Sequence, residues 1–225
     1  MASATLEPSS AVGESGVVLH GIGWDGYETI MKLVGDRRYP RLLYRQGNLI
    51  MMSPSRPHER PSERLGLLVM EIAAGLRIPC CPTAMTTFRR ADLDQGIQGD
   101  KTFYLDNEAR IRGKDEIDLM VDPPPDLVIE VEITNPAKHA VAIWSQLGVP
   151  EIWVFKGKSG SLRFLLRQAD GTYAESETSA SFPFLKSNEV AEWINRPETI
   201  AESEWLLQVR DWVRHTLAPR RAAGA

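Results

Sequence analysis

The stretch Asp126-Leu-Val-Ile-Glu-Val-Glu-Ile133 constrains this chain more than any other. Read with the two-residue period of a strand, Leu127, Ile129, Val131 and Ile133 form one wholly apolar face. Asp126, Val128, Glu130 and Glu132 share the other. A central strand covered on both sides normally carries Val and Ile on both faces. Two glutamates at i and i+2, about 6–7 Å apart along the strand, therefore need a reason. Side by side in a partly dry site, both resist ionisation unless a positive charge stands between them. A divalent cation such as Mg2+ or Mn2+, which takes hard carboxylate oxygens, supplies one. A half-exposed edge strand with solvated acids is the other reading of the same residues.

The segments around this strand give it a setting. Downstream, Asn135-Pro136 read as an N-cap and first helical position, and Gly148 with Pro150 as the matching stop. Between them Ala140, Ile143, Trp144 and Leu147 form one face of a crossover helix. Strands are expected over 152–155, 162–166 and 173–177, and helices over about 188–194 and 200–217. Upstream, the periodicity predicts a helix over 24–34 and a hairpin of 41–45 with 49–52 around Gln46-Gly47-Asn48. A helix over about 61–77 follows, then short strands over 80–85, 86–88 and 102–105. This alternation reads as a single α/β domain over 17–217, with a flexible leader over 1–16 and a flexible tail over 218–225.

Composition narrows the function. Lys and Arg number 26 against 30 Asp and Glu, a net charge of −4, which gives no support to a general basic coat for nucleic acid. No apolar run approaches the roughly 18–20 residues of a membrane span. The leader has neither the basic start nor the apolar stretch of a secretory signal, so a cytoplasmic location is expected. The only two cysteines, Cys80 and Cys81, are neighbours and build neither a disulfide framework nor a four-cysteine zinc site. No Ser-His-Asp set or phosphate-binding Gly-rich loop stands out.

Asp100 is a second candidate. It follows Gly96-Ile-Gln-Gly99 and opens the strand over 101–105. On its own it reads as a turn residue. Should its strand lie beside that of Glu130, the acids would gather at one place and could hold a catalytic cation. His58 and Glu59 read as helix-entry residues. Arg89, Arg90, Arg110, Arg112 and Lys114 read either as phosphate contacts or as solvated loop charges.

The runs Met52-Ser-Pro-Ser, His58-Glu59, Thr87-Phe-Arg-Arg90, Asn107-Glu-Ala-Arg110, Asp122-Pro-Pro-Pro-Asp126-Leu-Val-Ile-Glu-Val131 and Leu147-Gly-Val-Pro-Glu-Ile-Trp153 occur in that order. Together with Glu175-Ser-Glu177 and Phe182-Pro-Phe184 they resemble the Uma-two family, classed as restriction endonucleases of the PD-(D/E)XK nuclease superfamily. The resemblance implies a restriction-endonuclease-like α/β core, a mixed sheet flanked by helices, and an Mg2+- or Mn2+-dependent site that hydrolyses DNA phosphodiester bonds. By position, Asp100 and Glu130 match the family's metal-binding acids, and Glu59 matches the helix-entry glutamate that holds a metal-bound water. Glu132 falls where the superfamily motif has lysine. The resemblance also implies pairing into a homodimer, as such nucleases often do to cut both strands.

The chain departs from that pattern at two places. Ala140 stands where relatives often carry Lys or Arg, and Gly99 stands where they have the proline before the first Asp. Lys138 is the nearest substitute, yet two helical steps turn it by about 200°. Lys101 adjoins Asp100, but successive strand residues point to opposite faces. The expectation is an endonuclease whose turnover is weakened, the alternative being a catalytically inactive binding protein with the nuclease fold.

Overall fold

The apolar periodicities settle into two sheets, not one. The computed structural model describes residues 5–9, 15–35, 37, 39–53, 56–84, 86–133 and 137–224. In chain order the elements are β1 (Thr5–Ser9), β2 (Ser15–His20), α1 (Trp24–Val34), β3 (Arg41–Arg45), β4 (Asn48–Ser53) and α2 (Arg56–Leu76). Next come β5 (Cys81–Pro82), β6 (Thr87–Arg90), β7 (Gln95–Gln98), β8 (Lys101–Tyr104), α3 (Glu108–Ile111) and β9 (Leu127–Glu132). The chain closes with α4 (Lys138–Leu147), β10 (Glu151–Lys156), β11 (Ser161–Arg167), β12 (Tyr173–Ser176), α5 (Ser187–Ile194), α6 (Glu202–Trp212) and α7 (Ala218–Ala223). A wide helical turn over Val213–Leu217 joins the last two helices.

The first sheet is antiparallel, in the order β1-β2-β4-β3-β7-β6. The second, in the order β12-β11-β10-β9-β8-β5, is mixed. Its one parallel pair, β9 with β10, is bridged by α4, because parallel neighbours need a long crossover. The helix stops where Gly148 takes a left-handed conformation, φ +83, with Gly148 N–H and Val149 N–H donating to the carbonyls of Ser145 and Trp144. The expected N-cap at Asn135-Pro136 lies outside the described residues, as do Pro54, Ser55, Met85 and Thr134.

The period-two reading of β9 divides the interior. Leu127, Ile129 and Val131 pack with Leu65, Leu68, Val69 and Ile72 of α2 and with Trp205 and Val209 of α6. Val128, on the opposite face, packs with Ala140, Ile143 and Trp144 of α4. That second face also meets the first sheet through Phe88, whose ring stands edge-on to Trp144 at 5.6 Å. Glu130 therefore points into the space between α4 and the first sheet.

Some expectations change. Thr5–Ser9, expected as part of a flexible leader, pairs as β1 along β2 from Thr5↔His20 to Ser9↔Gly16. Main-chain hydrogen bonds to an open sheet edge need few apolar side chains. The expected tail is helical through Ala223, and Arg220 and Arg221 tie it to the Glu189 carboxylate and the Leu76 carbonyl. α2 begins five residues before the expected start, with Pro57 in its first turn, where a helix has no use for the missing N–H. β7 and α3 were not expected. Among the described residues, no helix is long and apolar enough to cross a membrane.

Candidate functional site

The chain crosses from the first sheet to the second through two residues, Gly99 and Asp100, between β7 and β8. β8 then runs antiparallel to β9 with Lys101 opposite Ile129. One step earlier, that register carries Asp100 to the side of Glu130. Two acids 30 positions apart in sequence thus meet because a crossing point and a strand register coincide.

Gly99 makes room for this meeting. A Cβ built there would lie 2.8 Å from Cζ2 of Trp144 and 3.5 Å from Oε1 of Glu130. The indole Nε1–H of Trp144 donates to that Oε1 at 2.6 Å. A glycine at this position thus lets the ring approach and fix the carboxylate.

Asp100 and Glu130 are each 8% exposed. Asp100 Oδ2 accepts the Val131 N–H at 2.7 Å and lies 3.2 Å from His58 Nε2. Its Oδ1 is held by the Arg41 guanidinium, which also reaches Glu59 Oε1 at 3.2 Å. Among the described residues, Glu130 has no such cation in contact. Burial pushes its carboxyl up to about 7, against the opposing pull of the Trp144 hydrogen bond and, from farther off, of Arg41. Burial, followed by the Arg41 charge, pushes His58 down to about 4, so its ring is neutral at pH 7. His58 Nδ1 is buried without a hydrogen-bond partner among the described residues, 3.8 Å from Glu59 Oε1.

These groups border a cavity of about 330 Å³. Asp100, Glu130, Arg41, His58, Lys138 and Ala140 line it, and Leu43, Ile50 and Met52 of the first sheet supply an apolar wall. Of the residues singled out in the sequence, Asp100, Glu130 and Lys138 share this cavity. Glu59 and Glu132 are not among its lining residues. Lys138, exposed at the start of α4, borders the cavity as well. Residues 137 to 140 all border the cavity, which wraps round the N-terminal end of α4. Lys101 does face elsewhere, with its Nζ 2.6 Å from Glu63 Oε1.

Several acids serve the backbone. Glu132 Oε1 accepts the Ala137 N–H at 2.7 Å, closing the connection into α4. Asp126 accepts N–H groups from Leu105 and Asn107 and the Asn107 side chain. Glu151, 1% exposed, accepts from Trp153 Nε1 and from the Ala180 and Ser181 N–H groups. The Gly-Val-Pro-Glu-Ile-Trp run is therefore a packing device. The basic residues noted between 89 and 114 are locally engaged: Arg89 with Glu28, Arg90 with Asp92, Arg112 with Glu108, and Lys114 with Asp122. Arg110 donates to the Val121 carbonyl.

Arg41, His58 and Trp144 belong to the site without having been assigned to it from sequence. Arg41 opens a hairpin strand whose next three residues are buried, an unusual start for an arginine. Trp144 sits on an apolar helix face that masks the use of its N–H. Nothing in its spacing distinguishes His58 from Glu59; only the rotation of α2 decides between them.

Among the described residues, no group of three or more His, Cys, Asp or Glu side chains is placed to hold a metal ion. Two carboxylates and water are nevertheless a donor set that Mg2+ accepts. Glu130 Oε2 has no hydrogen-bond partner among the described residues, and burial opposes its charge. A cation beside it would relieve that opposition.

The fold has a counterpart among solved structures. The crystal structure of a "putative nuclease belonging to DUF820" from Anabaena variabilis ATCC 29413 superposes with a TM-score of 0.50 at 15% identity, covering 69% of this chain and 92% of that one. No curated protein matches the chain. The model of the Uma2 family, described as "Putative restriction endonuclease", matches residues 24–200, which include β9, the Gly99-Asp100 crossing and α4. The chain belongs to the Uma2 family.

Proposed function

We propose that the chain is a metal-dependent endonuclease of the PD-(D/E)XK type, hydrolysing DNA phosphodiester bonds in the cavity bordered by Asp100 and Glu130. The observation that carries this reading is the convergence of those two buried carboxylates with Lys138 on one cavity. The family description and the name of the Anabaena nuclease point to the same class of reaction.

Asp100 and Glu130 would hold the cation, Mg2+ or Mn2+. When bound, that cation lowers the pKa of a water and offsets charge on the phosphoryl group. Trp144 occupies Glu130 Oε1 and so leaves Oε2 to face the cavity chemistry. Lys138, which borders the cavity, is the residue that would orient the attacking water or neutralise developing negative charge. His58, neutral at pH 7, keeps its Nε2 toward Asp100 and adds no charge to the pocket. Glu59 acts at one remove by holding the Arg41 guanidinium that also holds Asp100.

Incubation of the purified chain with plasmid and with single-stranded DNA, with and without Mn2+, tests this. Metal-dependent cleavage that is lost in Glu130→Ala is expected. Absence of cleavage, or cleavage indifferent to that substitution, refutes it.

Two observations favour a second reading, a binding protein that retains the nuclease fold. Arg41 sits on Asp100 Oδ1, where a cation would act, and Ala140 brings no charge to the cavity wall. Calorimetry with Mn2+ separates the two: no cation binding supports the inert form, and binding with cleavage supports the enzyme.

A further inference from the structure

A second depression, a cleft of about 640 Å³, lies on the other side of the first turn of α2. Five cations line it: Arg56, Arg60 and Arg64 from α2, Lys158 after β10, and Arg196 after α5. The carboxylates they meet are Glu198, on the cleft wall, and Glu202. Five cations against two carboxylates form a positive patch in a chain whose net charge is −4.

The sequence arranges this charge against local preference. Arg56, Arg60 and Arg64 follow at i, i+4 and i+8, so they share one helix face and repel one another. They also start at the helix N-terminus, where the macrodipole is positive and disfavours cations. Part of the stripe has a structural use. Arg64, 2% exposed, is saturated by Glu202 and by the carbonyls of Ile194 and Arg196. Arg60 is shared between Glu198 and Glu202, and Arg196 lies 3.6 Å over the Trp193 ring. Arg56 and Lys158 remain exposed with no ion-pair partner among the described residues.

The position of the cleft indicates what those two cations would meet. Pro57 borders the cleft and the next residue, His58, borders the carboxylate cavity. Beyond β9 the same holds: Val131 borders the cavity, and Ile133 the cleft. A chain of phosphates lying in one depression would thus pass over the first turn of α2 into the other.

We propose that the basic cleft holds the phosphate backbone of the nucleic-acid strand whose neighbouring phosphodiester enters the carboxylate cavity, with Arg56 and Lys158 as the direct phosphate contacts. This rests on the nuclease reading and extends it to a surface that does no chemistry. The contacts are to phosphate, so they position the strand and carry no base sequence.

The test is fluorescence anisotropy of a labelled single-stranded and a labelled duplex oligonucleotide with the full chain in EDTA, across a KCl series. Wild type is compared with Arg56→Gln plus Lys158→Gln. Both side chains are exposed, and thermal melting confirms that the variant is folded. Losing two phosphate contacts is expected to weaken binding and to flatten the slope of log affinity against log salt by about 1.4 for the single strand and about 1.8 for the duplex. Unchanged affinity and slope overturn the proposal, as does absence of binding by the wild type at low salt. If poly-glutamate competes as well as DNA of equal charge, the cleft takes acidic chains in general, which also overturns it. Because binding is read without cleavage, a chain that binds through these cations but cuts nothing supports the cleft and removes the nuclease reading alone. Cleavage and binding that ignore both substitutions overturn the cleft alone.

Discussion

Replacing Glu130 with glutamine should stabilise the metal-free protein at alkaline pH while abolishing the proposed metal-dependent cleavage. The carboxyl is 8% exposed, and burial raises it from 4.5 to about 7. Between those values the folded chain keeps a proton that the unfolded chain has released, so stability falls as pH rises. The contribution is whole below about pH 4.5 and is lost as pH passes through 7. A shift of two to three units at about 1.4 kcal/mol each makes the loss about 3 kcal/mol by pH 8. Glutamine does not titrate, and its side-chain oxygen can still accept from Trp144 Nε1. Urea unfolding of both chains in EDTA should therefore show near-equal stability at pH 4.5 and a variant more stable by about 3 kcal/mol at pH 8. His58 works in the opposite sense, since its depressed pKa costs stability as pH falls from 6.5 toward 4, but both chains carry it and the difference cancels it. Adding Mn2+ should then stabilise the wild type more than the variant. A glutamine chain that is less stable than wild type at pH 8, or a difference that does not grow with pH, refutes the buried-charge argument.

Removing the Arg41 guanidinium by Arg41→Ala leaves Asp100 buried without its cation and should cost about 3–5 kcal/mol in urea unfolding without metal. Gly99→Ala places a methyl 2.8 Å from the Trp144 ring and should cost about 1–3 kcal/mol, with a changed tryptophan fluorescence spectrum as the local readout. Burial pushes the Cys80 thiol up to about 12, so in a Cys81→Ser chain the remaining thiol should react with DTNB at pH 8 far more slowly when folded than in urea. Equal rates in the two states would remove that assignment.

Much of the scaffold was legible in the chain itself. The alternation over Leu127–Glu132, the apolar stripe of α1 and the Gly148 stop of α4 are local patterns, each satisfied by its own backbone period and by which face meets the core. β7 was not legible, because Gln95-Gly-Ile-Gln98 has a single large apolar residue. It becomes a strand by pairing with β3 and β6 on its two sides. The division into two sheets escaped for the same reason: a hairpin signals its own turn but not the sheet it joins.

The strand bearing Glu130, the face on which Glu130 stands and the family motifs around it can be read from residue order alone. Which acids meet follows from long-range packing. Asp100 reaches Glu130 through the β8–β9 register, while Glu132 and Asp126, equally placed on the same strand face, are taken by backbone N–H groups. Side-chain period is a property of a few neighbouring residues, whereas the partner of a buried carboxylate depends on which distant donor the folded chain brings to it. The same holds for the basic cleft, where three arginines on one helix are visible in the sequence, and Lys158 and Arg196 join them only when β10 and α5 pack alongside.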